Sequence, residues 1–149
     1  MEEIKMNGTV IALIGIALCM ILCGTGSAIG LFKTGTAAAG VLSEDPKKFS
    51  KVMVLVVLPA TQGIYGFVMA ILASSSVVSG MEAAEGWAIF AKVMPIAIVG
   101  LISAIYQGKT AVNCILAVAK QETLGGKLIL FPAMVETYAI LALVISIMM

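Results

Sequence analysis

The chain has 149 residues, of which 61% are apolar and 11% charged, with a net charge of +1 and a mean hydropathy of +1.13. Soluble domains have about half apolar and about a quarter charged residues, so the composition excludes an ordinary soluble fold. The low net charge, without a long block of like charge, gives no indication of nucleic-acid binding. We therefore expect a protein of the lipid bilayer.

The apolar segments are long enough for four membrane-spanning helices, because one span takes about 20 residues. We expect the first helix to be a span rather than a signal peptide, since the chain starts with acidic residues. Span 3 is predicted to continue beyond the membrane as a less apolar helix to Ala119. The four expected spans are residues 8–32, 52–78, 87–107 and 128–149.

Two polar segments, residues 33–51 and 120–127, are predicted to be long loops. They hold, or lie beside, most of the lysines, and the opposite side carries mainly acidic residues. The positive-inside rule then places both loops in the cytoplasm and both termini outside the cell membrane. The lysines on the loop side are Lys33, Lys47, Lys48, Lys51, Lys109, Lys120 and Lys127.

The chain contains an internal repeat. The pattern Gly-x-x-Ser-Ala-Ile of residues 24–33 recurs at 100–109, an offset of 76, and residues 58–65 recur at 131–138, an offset of 73. Both halves are therefore predicted to be helical hairpins that enter the membrane from the same side. The expected division is residues 1–78 for the first hairpin and 79–149 for the second.

Of the eight acidic residues, Glu136 alone is predicted to lie deep in a span. A charge at that depth costs about 2.5–3.5 kcal/mol on insertion scales, so it is a functional candidate by default. The alternative is a purely structural role, in which a protonated glutamate is hydrogen-bonded to a neighbouring helix. The repeat favours a function, because the matching position in the first hairpin is Gly63 and only one hairpin keeps a carboxylate.

Polar groups in the other spans are expected at the same depth as Glu136. They share one helical face of span 2, and Gln107 adds an amide from span 3. Pro59 removes a backbone donor and is expected to turn a nearby carbonyl toward a ligand. Each polar group alone is also consistent with an ordinary interhelical hydrogen bond. The face on span 2 consists of Leu58, Thr61, Gln62 and Tyr65.

Together these residues offer about five oxygens, a set that suits a hard cation. One carboxylate neutralises a monovalent ion, whereas Ca²⁺ would leave a positive charge in hydrocarbon. A proton would need only Glu136 and one partner, so the sequence favours Na⁺ over H⁺. The expected ligands are the Leu58 carbonyl, the Thr61 hydroxyl, the Gln62 and Gln107 amide oxygens and the Glu136 carboxylate.

Spans 1 and 3 carry stripes of small residues, which allow close approach of helix backbones. The stripes are explained either by packing within one chain or by a tight inner ring of helices from many copies. The first stripe consists of Gly8, Ala12, Gly15, Cys19, Cys23, Gly26 and Gly30, and the second of Ala97, Gly100, Ala104, Gly108 and Ala111.

The motifs at residues 58–67, 107–109 and 134–141 resemble those of the membrane rotor subunit of V-type ATPases, in its duplicated four-helix and sodium-transporting form. The resemblance covers almost the whole chain. It implies an all-α membrane protein that assembles into a homo-oligomeric rotor ring. It also implies that Tyr65 holds Glu136 by a hydrogen bond, beside the five ligands named above.

The same resemblance implies a subunit without a catalytic site of its own. Rotation of the ring would couple ion flow to ATP hydrolysis or synthesis in a separate soluble head. A stator subunit would supply a cationic residue, since this chain has no Arg, and the cytoplasmic loops would dock the central stalk. Two alternatives remain: a proton-translocating rotor of the same kind, and a small four-helix cation or drug antiporter.

Overall fold

The computed structural model describes residues 7–149, and within that range every regular element is helical. The orientation predicted from the positive-inside rule also depends on Glu2, Glu3 and Lys5, which lie outside the described residues. The helices are α1 (Gly8–Glu44), α2 (Phe49–Val57), α3 (Thr61–Ser74), α4 (Ala83–Lys120), the single turn α5 (Gly125–Leu128) and α6 (Leu130–Met148).

Four of the described segments are long and apolar enough to cross a membrane. The segment Pro46–Ser74 joins α2 and α3, and Gly126–Met148 includes α6. With helices at 1.5 Å per residue, α1 and α4 extend over about 55 Å, well beyond a hydrocarbon core of about 30 Å. The all-α membrane architecture predicted from the composition is confirmed.

The prediction that residues 33–51 form a long loop was wrong, whereas the second predicted loop, residues 120–127, contains the turn that connects α4 to the last span. α1 continues through Lys33 to Glu44, so the first connection is only Asp45 and a 3₁₀ turn, Pro46–Lys48. The second connection is Gln121 and a 3₁₀ turn, Glu122–Leu124. Residues 33–44 are polar enough to resemble a loop, but their small residues are compatible with a helix that packs on α4.

An apolar core outside the predicted spans explains why α1 and α4 remain helical there. Its buried side chains come from α1, α2 and α4, and the Thr34 hydroxyl adds a hydrogen bond to the Val56 carbonyl at 3.0 Å. Tertiary burial therefore stabilises a segment whose sequence alone is weakly apolar. The buried members are Ala38, Val41, Val52, Leu55, Val56, Cys114, Ile115 and Val118.

The two connections lie at the same end of the molecule and are tied together. Lys48 Nζ donates to the Ala119 carbonyl at 2.8 Å, near the C-terminus of α4. Lys51 Nζ forms an ion pair with Glu122 Oε2 at 2.7 Å. Both partners of this ion pair are exposed, so it stabilises the fold by less than about 1 kcal/mol. The ion pair nevertheless shows that both turns lie on one surface of the molecule.

The two stripes of small residues pack against each other within one chain. A Cβ added to Gly26 would lie 2.8 Å from Leu101 Cα, and one added to Gly108 would lie 2.6 Å from Gly30 Cα. α1 and α4 are therefore in backbone contact along their length. Of the two explanations for the stripes, the structure supports packing within the chain.

Replacing Gly108 by Val is expected to disrupt this contact, because the added atoms meet the Gly30 backbone rather than a flexible side chain. Overpacking of this kind costs about 1–3 kcal/mol or more. Thermal unfolding of the purified protein in detergent should show a clear loss of stability. Gly40→Val is the matched control, since nothing lies within 4 Å of its Cβ position, and equal losses for both variants would contradict the packing argument.

Candidate functional site

Glu136 is held by two hydrogen bonds from other helices. It is the seventh residue of α6, is half-buried, and accepts from the Tyr65 hydroxyl at 2.6 Å and from Gln107 Nε2 at 3.1 Å. Hydrogen bonds to an ionised carboxylate are about twice as strong as neutral ones. Both oxygens of the carboxylate are thus fixed in position by α3 and α4.

Gln62 and Gln107 form the buried centre of the site. Both side chains are fully buried, and Gln62 Nε2 donates to Gln107 Oε1 at 2.7 Å. Gln107 Nε2 also donates to the Pro132 carbonyl at 3.1 Å, in addition to Glu136. Gln62 Nε2 has a second acceptor in the Ser103 hydroxyl at 3.3 Å. Every donor of these two amides is therefore used, and each amide oxygen keeps a lone pair for a further partner.

The third group of oxygens lies where the second membrane segment changes its helical geometry. Pro59 interrupts the hydrogen-bond ladder, and a 3₁₀ turn over Leu58–Ala60 joins α2 to α3. The Thr61 hydroxyl donates to the Leu58 carbonyl at 3.0 Å, and Gln62 Oε1 lies 3.3 Å from the same hydroxyl oxygen. Carbonyl, hydroxyl and amide oxygens thus meet beside the two glutamines.

The structure brings together all the residues that the sequence analysis singled out. Leu58, Thr61, Gln62 and Gln107 connect to Glu136 through an unbroken chain of contacts, Tyr65 bonds the carboxylate directly, and Pro59 shapes the turn. Their assignment as ion ligands remains a proposal.

Ser103 belongs to the site and was missed by the sequence analysis. Its hydroxyl accepts from Gln62 Nε2 at 3.3 Å and donates to the Val135 carbonyl at 3.0 Å, so it links α3 to the helix that carries Glu136. The repeat contained a signal for it. The matching Ser27 accepts from the Gly63 backbone N–H at 2.7 Å, so in both hairpins this serine bonds the partner helix next to position 63 or 136.

In the part of the chain that the structure describes, no lysine forms an ion pair with Glu136. The ion pairs found among residues 7–149 join Lys48 to Asp45 and Lys51 to Glu122, both at the connections. In a low-dielectric region such a carboxylate needs a bound cation or a proton to become neutral. The surrounding amide, hydroxyl and carbonyl oxygens are the donor type that hard cations prefer.

Tyr65→Phe is expected to lower ion affinity by about tenfold or more without preventing assembly. The substitution removes one hydrogen bond to a charged group, worth about 1.5–3 kcal/mol, while the ring keeps its packing. The loss should appear in the cation concentration needed for half-maximal activity. Tyr138→Phe, the repeat-matched control, has an exposed ring outside the site and should leave that concentration unchanged.

The sequence of this chain is similar to those of known proteins. The sequence profile of the ATP synthase C-subunit family matches residues 14–73 and again 85–149. The V-type sodium ATPase subunit K of Enterococcus hirae is 44% identical over 140 residues, covering 94% of this chain and 90% of that protein.

This chain matches a smaller share of two further relatives. The A-type ATP synthase subunit K of Methanocaldococcus jannaschii is 39% identical over 94% of this chain and 61% of that protein. A V-type proton ATPase subunit of Candida glabrata, the one designated c-prime, is 41% identical over 39% of this chain and 35% of that protein. With the family profile matched in both halves, the chain belongs to the ATP synthase C-subunit family.

Proposed function

We propose that this chain is the ion-carrying subunit of a rotor ring in a V-type ATPase, with Glu136 as the group that binds the ion. The observation that carries the proposal is the half-buried carboxylate fixed between Tyr65 and Gln107, in the middle of a membrane span. Membership of the ATP synthase C-subunit family supports the rotor role.

We propose Na⁺ as the ion. The polar set around Glu136 contains more oxygens than a proton requires, and one carboxylate makes a neutral site with a monovalent cation. A relative that matches 94% of this chain is named a sodium ATPase subunit. H⁺ is the alternative, and the relative named a proton ATPase subunit matches only 39% of this chain.

In the proposed mechanism, the charge state of Glu136 controls passage through lipid. With Na⁺ bound the site is neutral and can face hydrocarbon, whereas the empty carboxylate is charged and cannot. A cationic side chain of a stator subunit would displace the ion, since this chain has no Arg. Rotation would couple this exchange to ATP hydrolysis or synthesis in a separate soluble head, and the chain itself supplies no catalytic group.

We further propose that the end of the molecule with the two turns faces the cytoplasm and docks the central stalk. Asp45–Lys48 and Gln121–Leu124 are joined there by the Lys51–Glu122 ion pair, so they form one surface. The excess of lysines at this end favours the cytoplasmic side, with both termini outside. The two hairpins, residues 1–78 and 79–149, would each act as one unit, in line with the two separate matches of the family profile.

The proposal is tested by protection of Glu136 from a hydrophobic carbodiimide, which reacts with protonated carboxyl groups in membranes. Membranes with the assembled complex should be labelled at Glu136, and Na⁺ should slow the labelling, whereas the same concentration of K⁺ should slow it far less. Labelling that responds to pH but not to Na⁺ would favour the proton rotor. A native gel that shows only monomers or dimers would favour an antiporter.

A further inference from the structure

The hydrogen bonds between the two buried glutamines run in one direction only. Gln107 Nε2 lies 3.1 Å from both the Pro132 carbonyl and Glu136 Oε2. A carbonyl and an ionised carboxylate can only accept, so the atom that faces them is the NH₂ group of the amide. Gln107 Oε1 therefore points to Gln62, and the Gln62 atom that lies 2.7 Å from it is the donor Nε2.

Ser103 is a second anchor for the same Gln62 nitrogen. Its hydroxyl donates to the Val135 carbonyl at 3.0 Å, which uses its only proton. The Ser103 oxygen can therefore only accept from Gln62, whose Nε2 lies 3.3 Å away. The hydrogen bond to Gln107 fixes the position of this nitrogen, and the bond to Ser103 fixes the plane of the amide. The amide oxygen is thereby held on the other side, 3.3 Å from the Thr61 hydroxyl.

The matching serine of the first hairpin makes a different contact. Ser27 lies 76 residues before Ser103, and its hydroxyl accepts from the Gly63 backbone N–H at 2.7 Å. Among the described residues no side-chain amide bonds Ser27, although the two serines are almost equally buried, at 6% and 5% exposure. The contact between a serine and an amide thus occurs only in the hairpin that carries the carboxylate, and helix packing alone does not account for it.

We propose that Ser103 is a positioning residue of the ion site, which holds the Gln62 amide with its oxygen toward the ion and so sets the Na⁺ affinity. This inference rests on the proposed function, with Na⁺ as the ion. Ser103 bonds Gln62 and the Val135 carbonyl, whereas the hydrogen bonds to Glu136 come from Tyr65 and Gln107. Na⁺ binding therefore depends on Ser103, and protonation of Glu136 does not.

Ser103→Ala is expected to raise the Na⁺ concentration that half-saturates the site by about fivefold, or about 1 kcal/mol at 1.4 kcal/mol per tenfold change. The substitution leaves one N–H of Gln62 without a partner and lets the amide plane turn. The pair Ser103→Thr and Ser103→Val separates the hydroxyl from the packing, because the two side chains have the same shape and crowd their neighbours equally. The Thr variant should bind Na⁺ about fivefold more tightly than the Val variant.

Ser146→Ala is the matched control. Ser146 is fully buried and also links α6 to α4, since its hydroxyl accepts from the Ile96 backbone N–H at 3.3 Å. It lies outside the site, so its loss should leave the Na⁺ affinity unchanged. A native gel of each variant reports whether the complex assembles.

The measurement is carbodiimide labelling of Glu136 in membranes that hold the assembled complex. Two quantities are recorded for each variant: the Na⁺ concentration that halves the labelling rate, and the pH at which the rate is half-maximal without Na⁺. We expect the first to change in the Ala and Val variants and the second to stay at the wild-type value. A hydroxyl that merely ties α4 to α6 beside Val135 would loosen Glu136 itself and shift both quantities together.

The outcomes separate this inference from the proposed function. If Na⁺ protects Glu136 in the wild type, the inference is overturned by equal Na⁺ concentrations in the Thr and Val variants, or by a parallel shift of the pH midpoint, while the ion site stands. If Na⁺ gives no protection in the wild type, the sodium assignment fails and the role of Ser103 fails with it.

Discussion

Glu136→Gln is expected to abolish ion transport, by at least about 100-fold, while the protein still inserts and assembles. The amide has the same shape as the carboxylate, and its oxygen accepts from the Tyr65 hydroxyl in the same place, although its NH₂ group cannot accept the second hydrogen bond, from Gln107 Nε2. A neutral group is easier to bury in hydrocarbon than a charged one, so folding does not suffer. The site nevertheless loses the charge that holds a cation.

The measurement is Na⁺ flux in liposomes reconstituted with the whole complex, together with a native gel that reports assembly. Glu85→Gln is the matched control, because Glu85 lies at the N-terminus of α4 and its capping role is also performed by Gln. Wild-type flux in the Glu136 variant would end the assignment of Glu136 as the ion-binding group.

Gln62→Leu is expected to weaken Na⁺ binding by about tenfold or more, or about 1.4 kcal/mol per tenfold change. The substitution removes one proposed oxygen ligand, and a fully buried position offers no bulk water to replace it. Both hydrogen bonds to Glu136, from Tyr65 and Gln107, are left in place. Protonation of Glu136 should therefore change much less than Na⁺ binding.

The test is ²²Na⁺ binding to the purified ring at several pH values. The affinity loss should grow at lower pH, where H⁺ competes with Na⁺ for the same carboxylate. Ser146→Ala is the control, because Ser146 is also fully buried but bonds the Ile96 backbone instead of the site. Unchanged Na⁺ affinity in the Gln62 variant, or a wild type that binds no Na⁺ at neutral pH, would favour the proton rotor.

The sequence predicted the membrane spans correctly but not the helical segment of α1 that lies beyond them. The spans were predictable because hydrocarbon tolerates only long apolar helices, a constraint that acts along the chain itself. Residues 33–44 carry no such signal, and a loop was predicted for them. α1 continues there because Ala38 and Val41 pack into a core with α2 and α4, which is a tertiary effect.

By itself, the sequence determined that the chain spans a membrane and that Glu136 is its one deeply placed carboxylate. Both can be read without a structure, because a charged residue inside a long apolar segment is visible in the sequence. The sequence also determined the repeat and the residues that share a depth with Glu136. Only the tertiary structure decided that the small stripes pack on each other within one chain and that Ser103 joins Gln62 to the helix of Glu136. The periodicity of a sequence shows which residues share one face of a helix. It does not show which other helix packs against that face, because this depends on how the helices are arranged in three dimensions.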